Sequence, residues 1–149
     1  MRTLTRTTSD NQEFQQLVRQ LDIELKILDG EDHDFYAQYN KLDQIRHVVL
    51  VFENNVAVGC GAIKKYDEEC MEVKRMFVPL EQRLKGIASM ILKELENWAS
   101  ELKYKKCILE TGEKQPEAMA LYKKNGYHII PNYGQYKNVK TSICFLKEL

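Results

Sequence analysis

The chain has 149 residues, a length that predicts a single domain over residues 1–149 with a core of its own. Hydrophobic residues make up 44% of it and charged residues 30%, which is ordinary for a soluble globular protein. Basic and acidic residues balance at 22 each, so the net charge favours neither nucleic acid nor an anionic membrane as a partner.

Signals for a membrane, for export and for a metal are missing from the pattern of residues. The longest apolar runs, such as 48–52, are too short to span a bilayer, and the first residues lack the apolar core of a signal peptide. The four cysteines stand apart, which disfavours both a disulfide scaffold and a zinc site. We therefore expect a cytoplasmic protein with reduced thiols, no metal and no membrane partner.

The first part of the chain predicts one strand and two helices. Residues 3–8 can form a strand, and Ser9-Asp10 is a plausible cap for the helix that follows. Apolar residues then recur at helical spacing from Phe14 to Leu28, and this first helix is expected to end near residue 30. The segment 31–43 is polar but carries aromatic residues, which favours a short second helix.

Three strands joined by short turns are predicted next, at 47–52, 56–65 and 71–78, so this part should form an antiparallel meander. Asn54-Asn55 between the first two tolerates positive φ and suits a tight hairpin. Gly59 and Gly61 predict close packing or a bulge, because a nucleotide loop would need a third glycine between a strand and a helix.

The second half of the sequence alternates helices and strands. A long helix is predicted from Gly86 onward, because its apolar residues follow steps of three and four. Those residues are Ile87, Ile91, Leu95, Trp98 and Leu102. A strand over 104–111, a helix between Gln115-Pro116 and Asn125-Gly126, and two strands at 126–130 and 139–146 complete the chain.

A basic turn lies between the third strand of the meander and the long helix. It reads Arg83-Leu84-Lys85-Gly86-Ile87-Ala88 and is followed by Ser89. A helix start presents unpaired backbone N–H groups and the positive end of its dipole, and a glycine lets the backbone approach a ligand closely. The turn therefore predicts a site for a phosphate or diphosphate.

Two motifs carry a resemblance to a known family. Arg83-x-x-Gly86-x-Ala88 after a strand resembles the signature of the GCN5-related N-acetyltransferases, the GNAT superfamily, and Ala118-x-x-Leu121-Tyr122-x-x-x-Gly126-Tyr127 resembles the family's second motif. The predicted order of elements is similar to the family's fold over nearly the whole chain. The resemblance implies an α/β (α+β) fold, with a mixed, mostly antiparallel sheet of about seven strands and about four flanking helices.

The resemblance also implies acetyl-coenzyme A (acetyl-CoA) as co-substrate. In the family the fourth and fifth strands splay apart, and the pantetheine arm enters the gap and pairs with the fourth strand's backbone. Carried over to this sequence, the arm would contact Met76, Phe77 and Val78, and the diphosphate would contact Arg83, Leu84, Lys85, Gly86, Ile87, Ala88 and Ser89. Gln115, where the family commonly has asparagine, and Ala118 complete the implied cofactor contacts.

Two residues match catalytic positions of the family. Glu72 stands at the offset before Arg83 where many members carry a general-base glutamate, and Tyr122 matches the tyrosine that protonates the departing sulfur. A carboxylate can help to deprotonate an ammonium, and a phenol is a suitable acid for a thiolate. The alternatives are a strand glutamate that faces solvent or pairs with Lys74 or Arg75, and an amphipathic core tyrosine on the last helix.

Family acceptor pockets usually form at the segments that correspond to 31–39 and 132–136. Tyr36, Tyr133 and Tyr136 could wall a slot for an apolar or cationic group, and Glu110 could anchor the acceptor's ammonium. Each of the four is equally compatible with a packing or surface role.

The sequence thus predicts an acetyl-CoA-dependent N-acetyltransferase that acts on a primary amine of a small molecule or peptide, by direct transfer in a ternary complex. The alternative is a non-catalytic sensor or interaction module that binds acetyl-CoA on the same fold. Nucleic acid is not an expected partner. A homodimer is left open, since the last strands often mediate dimers in the family.

Overall fold

The computed structural model describes residues 1–29 and 44–149. The strands are β1 (Arg2–Thr7), β2 (His47–Glu53), β3 (Val56–Lys65), β4 (Cys70–Phe77), β5 (Lys106–Gly112), β6 (His128–Ile130) and β7 (Ser142–Glu148). The α-helices in these ranges are α1 (Gln12–Asp29), α2 (Ile87–Glu101) and α3 (Pro116–Lys124).

All seven strands belong to one sheet, in the order β1-β2-β3-β4-β5-β7-β6. Every neighbouring pair is antiparallel except β4 and β5, which are parallel. The predicted mixed, mostly antiparallel sheet is confirmed, as is the order of the elements. The described ranges hold three α-helices where about four were predicted, because the second predicted helix, at 31–43, lies outside them.

The sheet is covered by α1 on one face and by α2 on the other. Residues of β2 alternate between the two faces: Val48 and Leu50 pack in the cluster that contains α1, and Val49 and Val51 in the cluster that contains α2. Because both faces are covered, β2 reads as a continuous apolar run. The helices contribute Phe14, Leu17, Val18 and Leu21 from α1 and Ile87, Ile91, Leu92, Leu95 and Ala99 from α2.

Two glycines of β3 let α2 lie unusually close to the sheet. A Cβ added to Gly61 would lie 2.6 Å from Sδ of Met76 and 2.7 Å from Cγ2 of Ile91. A Cβ on Gly59 would lie 2.8 Å from Cγ2 of Ile87. The prediction of close packing at these glycines is confirmed. The two glycines determine how closely the first half of α2 approaches β3.

Local sequence signals predicted the tight hairpin correctly but not the residue that caps α1. Asn54 and Asn55 have φ of 53° and 68°, as expected for a hairpin turn. The start of α1 differs from the expectation, because Oδ1 of Asn11 accepts the 2.9 Å hydrogen bond from the amide of Phe14. The hydroxyl of Ser9 is engaged elsewhere, since it accepts a 2.8 Å hydrogen bond from the amide of Ile45.

The predicted strand limits are shifted by up to three residues where turns compete with the ladder. The clearest case is β7, which starts at Ser142 because the amide of Val139 bonds the carbonyl of Tyr136 and the amide of Ser142 bonds that of Val139. Likewise β6 starts at His128, because the amide of Tyr127 still bonds the carbonyl of Tyr122 at the end of α3.

Candidate active site

The sheet opens where β4 and β5 separate, a feature that we call the fork. Their parallel pairing covers only three residue pairs and ends at Glu72↔Ile108. Beyond this point β5 stays paired with β7, whereas β4 stays paired with β3. The separation of the fourth and fifth strands that the family resemblance implied is therefore present.

A bulge in β4 lies just beyond the fork. Cys60 pairs with Phe77 and Ala62 with Lys74, so three steps along β4 face two along β3. Arg75 lies in this bulge with a φ of 60°. The bulge bends β4 away from β5, and within the described ranges no residue of β5 pairs with β4 past Glu72. The main-chain groups on this edge of β4 can therefore pair with an extended ligand.

A cleft of about 120 Å³ occupies the fork. Side chains of β4, β5, α1, α3 and the loop before β7 line it. The predicted site residues among its lining are Glu72, Met76, Glu110, Gln115, Ala118, Tyr122 and Tyr136. The fold thus brings both predicted catalytic residues to one cleft, together with two of the predicted acceptor residues.

The predicted arm contacts divide between the cleft and the core. Met76 lines the cleft, whereas the side chain of Phe77 is buried on the α1 face of the sheet. Val78 lies one residue beyond the end of β4, so the predicted strand limit of 78 is wrong by one. The carbonyl of Val78 accepts a 2.8 Å hydrogen bond from Nε of Arg83, so it bonds the turn that follows β4.

The basic turn leaves the first amides of α2 open. Gly86 is the N-cap residue with φ of 80° and ψ of 8°, and no side chain caps the helix. The amide of Met90 donates a 3.1 Å hydrogen bond to the carbonyl of Gly86, which is the first hydrogen bond of the helix. The amides of Ile87, Ala88 and Ser89 therefore have no carbonyl partner within the helix, which is the geometry that an anion needs.

The guanidinium of Arg83 is held by carboxylates of two helices. Its Nη2 donates hydrogen bonds of 2.6 and 2.8 Å to Glu24 of α1, and its Nη1 lies 3.8 Å from Glu117 of α3. The charge of Arg83 is therefore already balanced, and the main-chain amides present the positive potential of the turn. Lys85 at the tip donates a 3.1 Å hydrogen bond to Gln82.

Glu72 lies at the fork and is almost buried, with 9% of its surface exposed. The hydroxyl of Tyr133 donates a 2.6 Å hydrogen bond to its Oε2, and Nζ of Lys74 lies 3.9 Å from its Oε1. Burial first, and then the neighbouring Glu72 carboxylate, raise the pKa of Tyr133, so the phenol stays protonated and remains a donor. The predicted ion pair with Lys74 exists, and it is compatible with a base role for Glu72.

Tyr122 is both a core residue and a cleft residue. Its ring packs against Tyr127 and Phe145, with ring centroids 5.9 Å away in each case. Burial, and to a lesser degree the charge of Glu110, raise the pKa of Tyr122 well above its ordinary value near 10. The phenol is therefore neutral at physiological pH and can donate a proton.

The predicted acceptor residues gather on the β7 side of the fork, apart from Tyr36, which lies outside the described residues. Glu110 accepts a 2.6 Å hydrogen bond from the hydroxyl of Ser142. Tyr133 packs edge-on between Tyr136 and Tyr66, with ring centroids 5.9 and 5.1 Å away. Tyr66 was missed by sequence reasoning, since nothing local to it indicates that it meets Tyr133.

Within residues 1–29 and 44–149, no helix combines the length and the apolar character needed to cross a membrane. The same ranges contain no group of three or more His, Cys, Asp or Glu side chains arranged to hold a metal ion.

The fork and the open turn define a mixed α/β domain with a cleft suited to an elongated ligand that carries phosphate. Residues 14–127 match the sequence model of the family described as "Acetyltransferase (GNAT) family". Since this match spans well over half of the chain, the chain belongs to the GNAT family, and it is an acyltransferase of that family.

Known proteins agree with this assignment. The uncharacterised N-acetyltransferase YsnE of Bacillus subtilis is 27% identical over 114 residues, which are 72% of this chain and 76% of YsnE. A Klebsiella pneumoniae structure named as an acyl-CoA N-acyltransferase superposes with a TM-score of 0.82 at 27% identity, over 100% of this chain and 98% of that one. A GNAT acetyltransferase of Elizabethkingia anophelis, with acetyl-CoA bound, has a TM-score of 0.70 at 23% identity, over 99% and 98% of the two chains.

Proposed function

We propose that this acyltransferase moves the acetyl group of acetyl-CoA to a primary amine of a small molecule or peptide, by direct transfer in a ternary complex. The observation that carries the proposal is the meeting of Glu72, Tyr122 and the open edge of β4 in one cleft. The acetyl-CoA bound to the Elizabethkingia anophelis enzyme supports the choice of acyl donor.

The chain's own residues fit this donor. The uncapped amides of Ile87, Ala88 and Ser89, with the turn that leads into them, suit the diphosphate. The edge of β4 around Met76, which β5 does not cover, suits the amide groups of the arm. Gln115 and Ala118 at the start of α3 line the other side of the cleft. When bound, acetyl-CoA supplies the acetyl group as a thioester, an electrophile with a thiolate leaving group.

Glu72 is the base of the proposed reaction. An alkyl ammonium is mostly protonated near neutral pH, and its nitrogen can attack a carbonyl carbon only after it has lost a proton. Glu72 takes this proton, directly or through a water molecule, while the hydroxyl of Tyr133 holds one of its oxygens in place.

Tyr122 is the acid of the proposed reaction. When the tetrahedral carbon collapses and its bond to sulfur breaks, the phenol of Tyr122 gives its proton to the leaving thiolate. The raised pKa of Tyr122 keeps the proton on the phenol until it is needed. The nitrogen becomes positively charged when it attacks, and the proton that it then loses returns to the Tyr122 phenolate, directly or through water. The proton held by Glu72 passes to solvent, so both side chains regain their starting protonation states.

The cleft contains groups that can bind an amine acceptor. Glu72 and Glu110 supply two carboxylates beside Lys74 and Arg75, which line the same cleft. Tyr133 and Tyr136 supply aromatic surface near them. Tyr36 is proposed to join this wall on the basis of the sequence alone. This composition supports an amine acceptor and does not distinguish a small amine from a peptide.

Thiol release from acetyl-CoA in the presence of an amine library tests the proposal. Steady-state rates measured against both substrates should give intersecting double-reciprocal lines, because direct transfer needs both substrates on the enzyme together. Parallel lines would instead indicate a covalent acetyl-enzyme. Tight binding of acetyl-CoA by calorimetry with no turnover on any amine would favour the non-catalytic sensor.

A further inference from the structure

Arg2 of β1 reaches the basic turn from the far edge of the sheet. Its Nη1 donates a 2.8 Å hydrogen bond to the carbonyl of Lys85 and lies 3.9 Å from Sδ of Met90. Its Nε donates a 2.8 Å hydrogen bond to Glu53, the residue opposite it in the ladder between β1 and β2. Arg2 therefore connects the turn to a fixed point of the sheet.

By holding the carbonyl oxygen of Lys85, Arg2 also fixes the direction of the next amide N–H, that of Gly86. A trans peptide is planar, and its C=O and N–H bonds point in opposite directions. When Arg2 holds the carbonyl of Lys85 towards β1, the N–H of Gly86 must point away from β1. This N–H belongs to the row of amides proposed to bind the diphosphate. Glycine adopts positive and negative φ about equally, so Gly86, at φ of 80°, does not fix this orientation by itself and the contact with Arg2 can select it.

The ion pair with Glu53 gives the contact its rigidity. Arginine presents its donors in a planar fork, so Nε on Glu53 and Nη1 on Lys85 can be satisfied together only in one orientation of the guanidinium. The carboxylate also balances the charge of Arg2. Arg2 thus acts on an anion through the shape of the turn, not through its own charge.

Arg6 of the same strand provides a natural comparison. Both arginines have side chains that are 31% exposed, and both contact the segment that contains α2. Arg6, however, bonds only side chains of α2, with distances of 2.9 Å to Glu94 and 2.7 Å to both oxygens of Glu101. Arg6 stabilises the helix without contacting the turn.

We propose that Arg2 is a positioning residue for the diphosphate of acetyl-CoA, because it holds the Lys85–Gly86 peptide with its amide turned towards the cofactor side. The proposal rests on the proposed function for the identity of the anion. It assigns a role in cofactor binding to the first strand, which lies outside both sequence motifs.

Calorimetry with CoA on the full chain tests the proposal through Arg2→Met and the matched control Arg6→Met. Arg2→Met should raise the Kd for CoA about tenfold, the effect of losing one charge-assisted hydrogen bond that orders the site. Arg6→Met should leave the Kd for CoA within about twofold of wild type. It should lower the melting temperature at least as far as Arg2→Met does. Arg2→Lys should fall between wild type and Arg2→Met, because one ammonium cannot reproduce the two-sided fork.

A second measurement needs no cofactor. The ¹⁵N resonance of Gly86 responds to hydrogen bonding at the carbonyl of Lys85, so it should move in Arg2→Met and stay in place in Arg6→Met. Wild-type protein that does not bind CoA would refute the proposed function. Wild-type binding with an unchanged Kd in Arg2→Met, or an equal loss in Arg6→Met, would overturn the role of Arg2 and leave the function standing. If Arg2→Met does not fold, Arg2→Lys decides the question by the same two readouts.

Discussion

The hydroxyl of Tyr133 donates a 2.6 Å hydrogen bond to Oε2 of Glu72, and so connects the loop before β7 with the middle of β4. The bond crosses the fork, the only part of the described sheet where neighbouring strands separate within their length. It leaves Oε1 of Glu72 facing Lys74 across 3.9 Å. The proposed base is thus oriented from the far side of the cleft that it serves.

Glu72→Gln tests the base. A base must be unprotonated to act, so the wild-type pH–rate profile should have a rising limb. The variant should lose this limb and about a hundredfold in kcat/KM. Tyr133→Phe should keep the limb and lose about tenfold, because it removes only the hydrogen bond that orients the carboxylate. A pH–rate profile of Glu72→Gln that superimposes on that of wild type would exclude the role.

Tyr122→Phe tests the acid. It should lower kcat about a hundredfold and leave the Kd for CoA within about twofold, since only the proton donor is removed. Tyr127→Phe is the matched control, because its ring packs against Tyr122 while its hydroxyl bonds Glu96, at 3.0 Å. An unchanged kcat in Tyr122→Phe, or an equal loss in Tyr127→Phe, would remove Tyr122 as the acid.

Gly61→Ala should disturb the packing of α2 on the sheet. The new Cβ would lie 2.7 Å from Cγ2 of Ile91, so this side chain or the helix that carries it must move. Overpacking of this kind costs about 1–3 kcal/mol of unfolding free energy. Gly86→Ala meets no atom within 4 Å, so its cost reflects the positive φ alone, about 1 kcal/mol. Urea unfolding measures both, and wild-type stability in Gly61→Ala would contradict the packing argument.

Lys147→Met should destabilise the protein by about 2–3 kcal/mol, because it leaves the buried carboxylate of Glu96 with only the hydroxyl of Tyr127 as partner. Nζ of Lys147 lies 2.8 Å from Oε1 of Glu96, whose side chain is 6% exposed. Lys105→Met removes an exposed ion pair with Glu69 and should cost less than about 0.5 kcal/mol. Urea unfolding measures both variants. Similar losses of unfolding free energy would contradict the argument that the buried pair stabilises the protein more than the exposed pair.

Stability should fall in alkaline solution above about pH 9. Burial raises the pKa of the Cys60 and Cys107 thiols to about 12 from the ordinary value of 9.0. Between these values the unfolded chain has lost protons that the folded chain retains, so the unfolding free energy declines as pH rises and is unaffected by these groups below pH 9. Urea unfolding from pH 7 to 11 measures the decline, which Cys60→Ala should make shallower. An equal slope in Cys60→Ala would contradict this account.

Sequence reasoning succeeded where the physical cause is local. The positive φ of Asn54 and Asn55 follows from the residue type itself, because asparagine tolerates the left-handed region. The start of α3 at Pro116 follows from the missing amide of proline. The two family motifs then supplied the topology, which such local signals do not determine.

The contacts that shape the candidate site could not be predicted in this way. Arg83 was expected to add positive charge to the turn, but it bonds Glu24 of α1, far away in the chain. The partner of Glu72 is a tyrosine from the loop before β7, and the partner of Lys85 is in β1. Each pairing depends on how distant elements pack, and a single sequence carries no direct signal of that packing.

The brief contact of β4 with β5 divides the sheet into two wings. One wing holds β1 to β4 and the other holds β5 to β7, and three residue pairs are the whole of their shared ladder. A ligand bound between the wings as proposed would add main-chain hydrogen bonds where the ladder stops, and would so connect the two wings beyond their three shared residue pairs. Occupancy of the cleft should therefore make the two wings unfold more cooperatively. The break in the ladder between β4 and β5 would then matter both for the proposed reaction and for the stability of the sheet.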